Sequence, residues 1–122
     1  MRREELLLSD ILAAADAIAD FLKSATRNEF PADDELRSSV LLKLLIIGEA
    51  ASKLSPEFRK THEGIPWSEI VAFRNLGVHS YFAIDWEIVW ETATEDAPVL
   101  RNQVAEILAR EYPRRKLPNS GT

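Results

Sequence analysis

Leu7, Ile11, Ala14, Ile18 and Phe21 recur at helical spacing, with Asp10, Asp16, Asp20 and Lys23 on other faces, and this pattern predicts a long amphipathic helix over 4–24. A polar connection follows over 25–32. Asp33 or Asp34 is placed to cap a second helix, which runs through Leu36, Val40, Leu41, Leu44, Leu45 and Ile47 to about Leu54. The second half of that helix is almost entirely apolar or small, which predicts burial on several sides. Gly48, Ala50 and Ala51 would let a neighbouring helix approach closely. Ser55-Pro56 pairs a capping residue with a proline at the first helical position and predicts a short helix over 56–61. Pro66 can open a further helix that carries Trp67, Ile70, Val71 and Phe73 up to Arg74.

Arg74 and His79 are five positions apart, which on one unbroken helix would set them roughly 140° apart. If they share a site, the helix breaks between them, and Gly77 is the residue best suited to a helix C-terminus or tight turn. In an extended segment His79 and Tyr81, two apart, would then point the same way. Asp85 reads as the N-cap of a last helix carrying Ile88, Val89, Ala93, Leu100, Val104, Ile107 and Leu108. Pro98 either kinks that helix or restarts it after Asp96, and the pattern leaves both open. No stretch alternates over strand length, and neither a repeat nor a glycine-rich phosphate loop is present. The reading is an all-α bundle of four to five helices in one domain, 1–112, with the Arg74 segment at a helix junction. Residues 113–122 form a basic tail, read as disordered.

Composition narrows the chemistry. With no cysteine and two histidines in 122 residues, disulfide and thiol chemistry are excluded and a protein-ligated zinc site is a poor fit. No metal and no cofactor are expected. Aspartates interrupt the apolar stretch a signal peptide would need, and the most apolar run, 40–47, carries Lys43 and is too short to span a bilayer. A cytoplasmic protein without a membrane partner is therefore expected. The net charge of −5 repels nucleic acid at long range, which disfavours a broad, non-specific RNA-binding protein.

Against that acidic background, Arg74, Asn75, His79 and Tyr81 fall within eight positions. They supply a permanent cation, an amide, a group that titrates near neutral pH and a phenol, a set suited to holding and cleaving a phosphodiester. Glu49 stands in the apolar half of the second helix, where a carboxylate is costly unless paired. It either orients Arg74 or binds backbone near the motif, or it sits at a hydrated rim. Asp85 is a cap first and a site residue second. His62, between Lys60, Thr61, Glu63 and Gly64, reads as part of a solvated loop. Trp67, Trp86 and Trp90 read as core or interface residues rather than stacking platforms for bases.

The Arg-x4-His-x-Tyr pattern of Arg74, His79 and Tyr81, with Asn75 directly after the arginine, resembles the signature of HepT-like toxin ribonucleases of the HEPN superfamily. Ile47-Gly48-Glu49-Ala50-Ala51, Ile65-Pro66-Trp67, Ile84-Asp85 and Val89-Trp90 are similar to that family as well, and the likeness covers roughly residues 4 to 110. The resemblance implies a HEPN-type bundle and a metal-independent endoribonuclease that acts as the toxin of a toxin–antitoxin pair, with a composite site formed by a homodimer. His79 would be acid or base, Arg74 would hold the phosphate, and Asn75 would support them. It also implies a nucleotidyltransferase antitoxin that adds AMP to Tyr81. HEPN domains without ribonuclease activity also occur, so a non-catalytic helical module that binds and regulates such a nucleotidyltransferase stands as the alternative.

Overall fold

The computed structural model describes residues 2–77 and 83–113, and its architecture is all-α. Helix α1 spans Arg2–Phe21. A single 3-10 turn, Phe30–Ala32, leads into α2, Asp34–Ser52. Then come α3, Pro56–Thr61, and α4, Trp67–Val71, which passes into a 3-10 segment over Ala72–Gly77. Helix α5, Trp86–Glu91, joins α6, Ala97–Glu111, through a π-helical turn at Thr92–Asp96. Because α5, the π turn and α6 form one unbroken rod, the bundle among the described residues has the four to five helical members expected. The expected site residues His79 and Tyr81, and all of the 113–122 tail except Pro113, lie outside the described residues.

Helix α2 is the central member. It packs on α1 from one side and on α4 and the 3-10 segment from the other, while α6 covers the remaining flank of α1. Val40, Leu44 and Ile47 are fully buried along it, and Leu8, Ile11, Leu100 and Val104 complete the core from α1 and α6. The caps that start these helices follow from side-chain chemistry. Asp33 accepts from the backbone N–H of Leu36 at 3.0 Å, Ser55 from Phe58 at 3.1 Å, and Asp85 from Glu87 and Ile88 at 3.0 and 3.2 Å. Each satisfies a donor that the first helical turn leaves open. Asp33→Ala is expected to lower unfolding stability by about 1 kcal/mol, measured by urea denaturation, while Asp33→Asn stays near wild type.

Pro98 does not restart the last helix after Asp96. The chain keeps helical angles through Glu91, Asp96 and Ala97, and the backbone N–H of Ala97 donates five residues back to the Thr92 carbonyl. That widened turn carries the chain past the proline ring, which in a regular helix would press on the carbonyl four residues earlier. Buried Val89, Ala93 and Ala97 come four apart twice. In a regular helix that spacing drifts by about 40° per step, and the wide turn removes the drift.

The stretch 25–32, read as a polar connection, holds a core residue. Phe30 is fully buried, with its ring 5.2 Å from Trp90 and 6.3 Å from Trp86, and Arg37 lies over Trp86 at 4.7 Å. Trp67 is also buried, so all three tryptophans serve packing. His62 corrects the expectation of a solvated loop. Its side chain is only 9% exposed, its ring sits 4.4 Å from that of Phe58, and Nε2 lies 3.2 Å from the Glu111 carboxylate. The His62 carbonyl accepts from the Trp67 indole at 3.0 Å. His62 therefore joins α3, α4 and the end of α6. At the same end Glu4 is buried and accepts from the Ser55 backbone N–H. Burial raises the Tyr112 hydroxyl above its usual range, with help from nearby Glu111, Glu4 and Glu5.

Candidate functional site

The motif segment is built on a change of helix type. Regular α-helix ends at Val71 and the next six residues wind as 3-10 helix, a long run for that geometry. In a 3-10 helix residues three apart eclipse. Phe73, buried, and Leu76, packed on the core, therefore point inward together. Arg74 and Gly77 share an adjacent edge, and that edge lies along α2. The backbone of Arg74 approaches Gly48 so closely that a Cβ on Gly48 would stand 2.7 Å from the Arg74 nitrogen and 2.8 Å from its Cγ. One turn on, a Cβ on Gly77 would meet Leu45 at 3.4 Å. The segment thus runs antiparallel to the Leu41, Leu45, Gly48 row of α2.

The expectation for this region needs two corrections. The helix gives way before Arg74 rather than after it, because 3-10 winding brings both Phe73 and Leu76 onto the core. Gly77 does not take a left-handed conformation, since no described glycine has a positive φ. A Cβ there would meet the end of Leu45 at ordinary contact distance, so the packing does not require glycine either.

Arg74 is half exposed, with Nε 3.2 Å from Oε1 of Glu49, and Glu49 Oε2 lies 3.7 Å from the Lys53 ammonium. The carboxylate of Glu49 is therefore paired on both sides, which answers why it stands on the apolar helix. Arg74 borders two hollows. One, about 460 Å³, is lined by Leu7, Leu45, Ile46 and Ala50, with Asp10, Glu49 and Lys53 at its polar end. The other, about 310 Å³, is lined by Ser68, Val71, Ala72 and Asn75. Arg74 and Asn75 thus face one hollow together, and Arg74 reaches the second as well. Asp85 does not join them. Among the described residues its side-chain bonds are the two that cap α5.

Lys53 and Asp10 were not picked out from the sequence as site residues. Lys53 carried a usable signal, since it stands four residues after Glu49 on the same helix face. Asp10 carried none, because its place at the cleft depends on how α1 crosses α2.

A family model described as Ribonuclease HepT-like matches residues 11–107, which takes in α2, the 3-10 segment and all the residues above except Leu7 and Asp10. The chain belongs to the HepT-like ribonuclease family. Among curated HepT-like relatives, a Methanocaldococcus jannaschii protein named "Putative RNase MJ1380" is 36% identical over 84% of this chain and 94% of its own length. "Putative RNase TTE0752" of Caldanaerobacter subterraneus subsp. tengcongensis is 35% identical over 91% of this chain and 99% of its own. "Probable ribonuclease HepT" of Thermococcus cleftensis is 32% identical over 82% and 91%. No solved structure matches the chain. As in the sequence reading, no described helix of this HepT-like chain is long and apolar enough to cross a membrane.

Proposed function

We propose that this HepT-like protein is an endoribonuclease that cuts RNA without a metal ion and acts as the toxin of a toxin–antitoxin pair. The observation that carries the reading is Arg74, half exposed on a 3-10 edge that borders two hollows. Strand scission needs a base to take the 2′-hydroxyl proton, an acid to protonate the departing 5′-oxygen, and positive charge on the phosphorane between them. Arg74 supplies the charge and holds the phosphate. His79 supplies acid or base, and Asn75, beside Arg74 on the second hollow, orients the RNA.

One histidine cannot serve as acid and base at once, so the complete site takes two copies of the chain. Exposed Leu42, with Leu45, Ile46 and Glu49, follows the i, i+3, i+4, i+7 spacing of one α2 face that leads to Arg74. That apolar face beside the cation supports a homodimer whose cleft is positive although the chain is acidic. A nucleotidyltransferase antitoxin would silence the site by adding AMP to Tyr81, since the added bulk and negative charge would exclude and repel RNA. Cytoplasmic RNA is the substrate on this reading.

The test is cleavage of an end-labelled RNA by the purified protein, free of partner and unmodified at Tyr81, in excess EDTA. Cleavage is expected to persist and to leave 2′,3′-cyclic phosphate ends. Inhibition by EDTA that a divalent metal reverses would overturn the mechanism. No cleavage at all would favour a regulatory, non-catalytic module.

A further inference from the structure

The geometry points to Glu49 as the residue that positions Arg74 for phosphate, an inference that rests on the reading of this site as one that cleaves RNA. A guanidinium offers two forked edges to a phosphate, one through Nη1 and Nη2 and one through Nε and Nη2, and a carboxylate at Nε occupies the second and leaves the first free. Glu49 makes its closest approach at Nε, 3.2 Å away. It stands on the stem side of the group. Among the described residues, no other ion pair or hydrogen bond is made by the arginine head.

Glu49 is itself restrained. Its second oxygen faces Lys53, and its backbone follows Gly48, the position at which α2 touches the Arg74 backbone. The carboxylate and the arginine main chain are therefore held by the same contact, so the guanidinium is constrained both at its root and at its Nε. Lys53 balances the carboxylate. Asp10 lines the same hollow, so its four charged groups sum to zero and the positive charge a phosphate requires must come from the guanidinium itself.

Stability does not account for the pair. Both side chains of the Arg74–Glu49 contact are about half exposed, and such ion pairs contribute little to folding. Loss of Glu49 should therefore leave the melting temperature within about 2 °C of wild type. Its effect should appear in turnover, because small misplacements of a group that stabilises a transition state cost up to about 100-fold.

The experiment compares wild type, Glu49→Ala, Glu49→Gln and Arg74→Ala in steady-state cleavage of one labelled single-stranded RNA, together with the Nε–H resonances of the arginine side chains. The Arg74→Ala spectrum identifies the Arg74 signal. Glu49→Ala is expected to lower kcat about 10- to 100-fold with little change in KM, and to speed exchange of the Arg74 Nε–H with water. Glu49→Gln, which keeps an oxygen at the same reach, is expected to recover most of both. Wild-type kcat and an unchanged Arg74 signal in Glu49→Ala would overturn the inference. So would tighter RNA binding with faster cleavage, which would make Glu49 a competitor of phosphate. If wild type cuts no RNA, the ribonuclease reading fails, while the Arg74 resonance still decides whether Glu49 holds the arginine.

Discussion

Replacing Arg74 with alanine is expected to lower RNA cleavage by about 100- to 1,000-fold or more, the usual cost of removing one group that stabilises transition-state charge. Folding should barely change. The 3-10 segment is anchored by Phe73 and Leu76 on its inner side, and the Arg74 side chain is half in water, so the stability change should stay within about 0.5 kcal/mol. Arg74→Lys should recover only part of the activity, since an ammonium keeps the charge but not the planar two-pronged edge. Initial rates at saturating and sub-saturating RNA, beside thermal melts, check these points. His79→Ala should be equally inactive on the proposed mechanism. Arg74→Ala that fails to fold would make the segment structural and remove its claim to chemistry.

The second large effect is expected at a residue with no side chain. A Cβ at Gly48 would stand below 3.0 Å from both the backbone nitrogen and Cγ of Arg74, and 3.1 Å from the Val71 carbonyl. Two of those three neighbours are main-chain atoms, so the 3-10 segment must move as a unit. Overpacking of this kind costs about 1–3 kcal/mol, and the better helix propensity of alanine returns up to about 1 kcal/mol. Gly48→Ala should therefore be destabilised by about 1–2 kcal/mol in urea melts. It should also lose most RNA cleavage even where it is fully folded, because the arginine no longer meets its carboxylate. Gly64→Ala is the control, since a Cβ there meets nothing within 4 Å. Gly48→Ala with wild-type stability and cleavage would mean that the close contact has no part in the site.

The helices were legible because local patterns determine them. The caps at Asp33, Ser55 and Asp85 sit where short polar side chains precede apolar periodicity. The small residues around Gly48 announced a close approach, whereas the position of Glu49 left a partner and a hydrated rim both open, and the side chain has ion-pair partners while staying half exposed. Other features needed contacts that no local pattern encodes. His62 has polar neighbours in sequence, yet it is enclosed by Phe58 and by Glu111 from the far end of the chain. Glu4 lies in a polar opening turn but is buried by a bond to Ser55, fifty-one residues away. The 3-10 winding at Ala72–Gly77 was missed because α and 3-10 periods differ by less than one residue per turn. Over a single turn the apolar spacing of Phe73 and Leu76 fits either.

The π turn at Thr92–Asp96 also changes how the last third of the chain answers to length. It lets one continuous rod serve two unrelated surfaces. The α5 end faces Phe30 through Trp86 and Trp90, while Leu100 and Val104 face α1. Each half keeps its own azimuth, and the wide turn is the joint that reconciles them. Removing a single residue between Trp90 and Pro98 would leave too little chain for the wide turn. Regular winding over one residue fewer covers nearly the same rotation, so both halves would keep their azimuths while the Pro98 ring would press on the carbonyl four residues earlier. Between its two surfaces the rod carries one residue more than regular winding needs, and the wide turn accommodates it without turning either half.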